Sequence, residues 1–133
     1  MKAVVDTNVW VSAFLTPGGT AAKLLDAMYA ARLVPVFSTP VVLEYRTVLK
    51  RAKFNIGPEV LAEFFKGLRT FGQYEDNVPQ LDIDLLDPTD APFIALARHA
   101  GCPVITGNAR HFPAAAGIVV LTPAEWVAEQ SGT

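Results

Sequence analysis

At 133 residues the chain is the size of one ordinary domain, and a domain of that length buries roughly 65–70% of the surface it would expose unfolded, so it holds a core without staples. Hydrophobic residues make up 51% and charged residues 18%, with no low-complexity run, which excludes a disordered or fibrous chain. The net charge of −2 argues against a protein that coats nucleic acid by charge alone, but not against an enzyme whose site carboxylates are offset by bound metal. The single cysteine, Cys102, excludes a disulfide framework or a multi-cysteine zinc site and reads as a buried free thiol. No run approaches the ~18 apolar residues of a membrane span. Asp6 and Asn8 break the first apolar stretch before signal-peptide length. One cytoplasmic domain over residues 1–133, with no membrane partner, is expected.

Along the chain, short β-branched runs alternate with helical patterns. Val4-Val5 stops at Asp6, and a helix is expected from near Val9. Residues 21–32 carry Leu24, Leu25, Met28 and Tyr29 at helical spacing. Val34-Pro35-Val36-Phe37 stops at Ser38. Thr39 then reads as an N-cap and Pro40 as the first residue of a helix over 40–53, with Val41, Tyr45, Val48, Leu49 and Ala52 on its buried stripe. Val60, Phe64, Phe65 and Leu68 mark another helix. Val78-Pro79-Gln80-Leu81 suits an edge strand, because its proline lacks a donor. Phe93, Ile94, Ala97 and Ala100 form a helix closed by Gly101. Val104-Ile105 and Ile118-Val119-Val120-Leu121 read as strands, and 124–130 as a last helix. This alternation predicts an α/β domain with a mainly parallel sheet of four to five strands.

In open parallel sheets ligands bind beyond the carboxyl ends of the strands, near the switch in strand order. Four positions there carry the chemistry: Asp6, Glu44, Asp90 and Asn108. Each also has an ordinary reading. Asp6, Thr7 or Asn8 could cap the next helix. Glu44 sits about 60° from Val41 at ~100° per residue, at the edge of the buried stripe, where it also serves as a helix-dipole glutamate. Asp87 or Thr89 caps a helix as well as any residue, leaving Asp90 a first-turn acid. Gly107-Asn108 makes a plain loop. Together they read differently, because carboxylates gathered beyond a sheet repel one another unless a cation neutralises them. Hard oxygen ligands select Mg²⁺ or Mn²⁺ over zinc, and His99 and His111 show no zinc-site spacing.

Val4-Val5-Asp6-Thr7-Asn8-Val9, Glu44 within Val-Leu-Glu-Tyr, Asp90 ahead of Phe93-Ile94-Ala95-Leu96-Ala97, and Thr106-Gly107-Asn108 follow one another across nearly the whole chain. This ordered set resembles the PIN-domain ribonuclease family and, within it, the VapC-like toxins of bacterial toxin–antitoxin pairs. The resemblance implies a three-layer α/β/α fold and endonucleolytic hydrolysis of RNA phosphodiester bonds. It implies Asp6, Glu44 and Asp90 as catalytic, metal-binding acids, supported by Thr7, Asn8, Asp87 and Thr106. It also implies a small antitoxin partner and a homodimer. Asn108 departs from the pattern, standing where many members carry a fourth aspartate; it can still offer an amide oxygen to metal but adds no charge. Asn108 keeps open a catalytically idle PIN-like module that binds RNA or protein, and a PIN nuclease of RNA processing shares the same site.

For RNA contacts, Arg51 lies seven residues beyond Glu44, on nearly the same side and roughly 10 Å along the axis. Arg110, beside His111, follows Asn108. Arg46, Lys50 and Lys53 face away from Glu44 and read as solvated helix surface. Trp10, Phe54 and Phe71 are apolar candidates for a dimer surface, though each also suits a core.

Overall fold

The β-branched runs pair side by side in the structure, a computed structural model that describes residues 1–81, 88–112 and 117–131. β1 (Lys2–Val5) is central. β2 (Val34–Phe37) and then β3 (Gln73–Tyr74) lie on one side, β4 (Val104–Ile105) and β5 (Val120–Leu121) on the other. All four pairings are parallel. Parallel strands need crossovers: α1 (Thr7–Leu15) and α2 (Ala22–Tyr29) lie between β1 and β2, α3 (Thr39–Leu49) and α4 (Pro58–Phe71) between β2 and β3, and α5 (Ala91–Ala100) between β3 and β4, while α6 (Pro123–Ser131) follows β5. The result is the expected three-layer α/β/α domain around a five-stranded parallel sheet. Among the described residues no helix is long and apolar enough to cross a membrane.

Covered strands explain the unbroken apolar runs. Val4, Val5, Val36, Val104 and Ile105 are wholly buried. α5 packs on β1 and β2, and α3 packs on α5; α2 touches α1, α4 and α6. Between α1 and α4 the rings of Trp10 and Phe14 meet Phe64 edge-on at 5.1 and 5.4 Å. Trp10 is therefore core, whereas Phe54 and Phe71 are partly buried against it. Cys102 is the expected buried free thiol, and Gly101 closes α5 at φ +66°.

Several boundaries differ from expectation. α1 begins at Thr7 rather than near Val9, because Asp6 already occupies the cap position. α3 begins one residue earlier than Pro40, with Ser38 as its cap; the Thr39 hydroxyl instead meets that of Tyr74 at 2.9 Å. Helix α3 also stops at Leu49, so Ala52 sits exposed in a separate 3₁₀ turn, Ala52–Phe54, off the buried stripe. The edge strand is Gln73–Tyr74, not residues 78–81, which form no strand. Those two residues pair with Val36 and Phe37, while Pro79 has no N–H to offer a ladder. β5 keeps only Val120–Leu121, and Val119 is 62% exposed, because β5 is an outer strand with one free side.

Gly72 makes the corner from α4 into β3. A Cβ there would press on the Leu68 carbonyl oxygen and stand 2.7 Å from that of Pro35. Both obstacles are backbone, so neither can swing aside. Gly72→Ala is expected to cost about 1–3 kcal/mol, measured as a lower denaturant midpoint. An unchanged midpoint would mean the corner opens freely and does not fix β3.

Candidate active site

Asp6 is the first residue beyond the central strand. It is 8% exposed and stands at the N-cap of α1 in an extended conformation, φ −62° and ψ 142°. Its backbone does the capping work, the carbonyl accepting from Val9 N–H at 3.0 Å, while its side chain makes no cap bond. The carboxylate instead accepts from the Thr106 hydroxyl at 2.7 Å. Thr106 is wholly buried just past β4. Its oxygen also accepts from Asn108 N–H at 3.0 Å, so its single proton is directed at Asp6. From β1 the sheet continues to β2 on one side and to β4 on the other, so this bond spans the switch in strand order.

Thr7, 4% exposed, donates to Glu44 Oε2 at 2.8 Å and so ties the first turn of α1 to the half-buried glutamate of α3. The next residue, Tyr45, is wholly buried and donates its phenol to the carbonyl of Val5, the last residue of β1. Burial pushes the Tyr45 phenol well above its ordinary value of 10.0, and the nearby carboxylates of Asp6 and Glu44 push it further. It stays protonated and acts as a fixed donor. Because its folded value lies above its unfolded one, the stability it contributes is complete below about pH 10 and is lost as pH rises beyond that.

Asp90 stands at the N-cap of α5, where its side chain makes no cap bond and Oδ2 is shielded from solvent. Asp6, Glu44 and Asp90 line one cavity of about 270 Å³ with Thr7, Asn8, Arg51, Thr89, Asn108, Val48 and Phe112. Three acids thus share it with one guanidinium. Arg51 reaches the cavity as its spacing from Glu44 implied. Arg110 does not line it; it lies exposed on the 3₁₀ turn Ala109–His111. Asp87 falls outside the described residues. Three lining residues escaped the reading of site residues from sequence: Thr89, taken for a cap; Val48, one helical turn beyond Glu44; and Phe112. Tyr45 looked like core alone, yet it also anchors the strand end that presents Asp6. Among the described residues no three His, Cys, Asp or Glu side chains converge closely enough to hold one ion between them.

Thr106→Val keeps the shape and removes the hydroxyl. The Asp6 carboxylate then loses a charge-assisted donor in a buried place, expected to cost about 1.5–3 kcal/mol. Equilibrium denaturation checks this; a loss below the noise would mean water replaces the hydroxyl without cost.

The chain is similar to known proteins in sequence and in fold. A PIN-domain family model matches residues 2–110. An uncharacterized protein of Methanocaldococcus jannaschii, MJ1680, is 27% identical over 112 residues, covering 81% of this chain and 71% of that protein. Two solved structures have a similar fold, each with a TM-score of 0.61 and 92% of this chain covered. One is a chain of FitAB bound to an IR36 DNA fragment, at 19% identity and 95% of that chain. The other is a chain of VapBC2 from Rickettsia felis bound to a DNA fragment from their promoter, at 15% identity and 98% of that chain. With the family model spanning the first strand through the Asn108 turn, the chain belongs to the PIN-domain family, a family of nucleases.

Proposed function

We propose that this protein is a metal-dependent endoribonuclease, the toxin of a toxin–antitoxin pair, with Asp6, Glu44 and Asp90 as its catalytic acids. The observation that carries this reading is the single cavity that the three acids share at the switch in strand order. Hard carboxylate and amide oxygens facing one guanidinium fit Mg²⁺ or Mn²⁺ in kind. Their failure to converge suits such an ion too, since Mg²⁺ keeps several waters and takes one or two carboxylates directly. One or two of Asp6, Glu44 and Asp90 would bind it directly and the rest through its waters, with Asn108 offering an amide oxygen. When bound, the ion would supply charge stabilisation at the phosphodiester and a water of lowered pKa.

The remaining work falls to side chains of this chain. Thr106 and Thr7 hold the Asp6 and Glu44 carboxylates in place through their hydroxyls. Asn8 and Thr89 line the same cavity, and Arg51 is the group there able to meet a backbone phosphate. Because Asn108 adds no negative charge, a second ion binds more weakly than it would beside an aspartate. The similarity to chains of VapBC2 and FitAB supports a small antitoxin partner and a homodimer.

Cleavage of a mixed RNA panel with Mn²⁺ or Mg²⁺, beside an EDTA control, tests the reading. Metal should also raise the melting temperature, as ligands that bind only the folded state do. Neither cleavage nor metal stabilisation would leave an idle binding module as the better account. Arg51→Ala is expected to weaken RNA binding and lower the salt slope by about 0.7, the share of one phosphate on a single strand. An unchanged slope removes Arg51 from the substrate path.

A further inference from the structure

α3 and α4 enclose a second cavity, of about 520 Å³. Arg46 and Lys50 from the end of α3 and Arg69 from the last turn of α4 line it, together with apolar Ile56, Leu61 and Phe65. No acidic residue lines it, and among the described residues no carboxylate forms an ion pair with any of the three cations. In a chain of net charge −2 this is a local concentration of uncompensated positive charge. The Arg46 guanidinium lies over the Phe65 ring, 4.3 Å from its centroid. A guanidinium stacked on an aromatic ring is a platform to which a nucleobase adds.

The groove and the acid cavity lie on opposite faces of α3 and share no lining residue. Val48 and Arg51 line the cavity, Arg46 and Lys50 line the groove, and Lys50 and Arg51 are consecutive residues. The two basic sets therefore come together in the chain only where α3 ends. Helical angles alone leave Arg46 and Lys50 on a solvated face; α4 makes that face a groove by setting Phe65 and Arg69 against it. Lys53, their neighbour in sequence, lies over the Phe54 ring at 5.2 Å and does not line the groove. An acidic peptide would also match the charge. The Arg46–Phe65 stack, which offers a flat face to a base, favours a polynucleotide.

We propose that the α3–α4 groove is a track for single-stranded RNA to one side of the scissile bond, with Arg46, Lys50 and Arg69 on backbone phosphates and the Arg46–Phe65 pair stacking a base. The proposal rests on the nuclease reading, and its test separates the two. A short fluorescein-labelled oligouridine is titrated by anisotropy in EDTA, where nothing is cut, across a range of salt, against wild type and Arg46→Ala/Lys50→Ala/Arg69→Ala. The triple variant should bind at least about 10-fold more weakly, with a log–log salt slope smaller by about 2, from ~0.7 per phosphate on three contacts. The charge-preserving Arg46→Lys/Lys50→Arg/Arg69→Lys should keep the slope, and Lys23→Ala, on α2, should match wild type. Circular dichroism melting confirms folding, and Lys50→Ala alone, at an exposed helix end, gives about a third of the slope change if the triple variant unfolds.

Equal affinity and slope in the folded triple variant overturn the track. So does RNA binding that ignores the three cations while a carboxylate-rich amphipathic peptide depends on them, which assigns the groove to a protein partner. Metal-dependent cleavage that continues with an unchanged salt slope overturns the track and leaves the nuclease standing. Binding that follows the three cations in a protein that never cleaves leaves the track standing and overturns the nuclease.

Discussion

Asp6→Asn is expected to lower metal-dependent RNA cleavage by roughly 10²–10³-fold or more, the scale on which removing one preorganised electrostatic group slows an enzyme. The fold should survive. An asparagine carbonyl still accepts from the Thr106 hydroxyl, and the backbone bonds that place residue 6 (its N–H to Ile105 at 2.9 Å, its carbonyl from Val9 at 3.0 Å) do not involve the side chain. Removing one of three acids from a shared cavity also relieves repulsion, so the metal-free melting temperature should hold or rise. The rise on adding Mn²⁺ should shrink in the same variant, because a ligand charge has gone. Loss of cleavage together with loss of metal stabilisation therefore separates a damaged site from a damaged fold. Full, EDTA-sensitive cleavage by Asp6→Asn would remove Asp6 from the catalytic set.

Phe64→Ala should produce the largest loss of stability, about 3–5 kcal/mol for deleting a buried phenylalanine. For a domain of this size that lowers the melting temperature by roughly 10–20 °C. Phe64 is 1% exposed and meets three rings edge-on: Trp10 at 5.1 Å, Phe14 at 5.4 Å and Phe65 at 5.1 Å. The side chain fastens α4 to α1, and α1 carries Thr7, whose hydroxyl holds Glu44. Metal affinity should therefore fall along with stability, although residue 64 is no part of the acid cavity. Leu43→Ala, at a residue 57% exposed, is the comparison and should stay within ~0.5 kcal/mol. A cost for Phe64→Ala below about 1 kcal/mol would mean that the α1–α4 contact does not hold the fold together.

How much was legible in advance follows from the range of each interaction. Periodicity and caps are local, so the alternation of strands and helices, the Gly101 stop and the strand-end position of Asp6 could be read from neighbouring residues alone. Pairing is not local. Gln73–Tyr74 is a strand because β2 offers Val36 and Phe37 as partners, and nothing within those two residues announces it. Residues 78–81 had the better composition and no partner. Ile118 and Val119 had strand propensity, but only Val120 and Leu121 stand in register with β4, and Val119 adds just its carbonyl to Val104 N–H.

The same division applies to the site. Sequence by itself determined that Asp6 and Asn108 come just after strands, that Asp90 opens a helix, and that Glu44 lies within the helix after β2 with Arg51 on its side, because one-dimensional order and helical angle suffice for that. Only the tertiary structure decided which of these side chains meet. The Thr106–Asp6 bond joins residues 100 apart, and the Thr7–Glu44 bond residues 37 apart; both depend on the parallel order β2-β1-β4 and on α3 crossing near the end of β1. Tertiary structure also left Arg110 outside the cavity and turned Arg46 and Lys50 from a solvated face into one wall of a groove. Local chemistry sets what each residue can do. Burial and register set what it does it with, because a hydrogen bond or a shared cavity exists only where distant segments are brought within a few ångströms of one another.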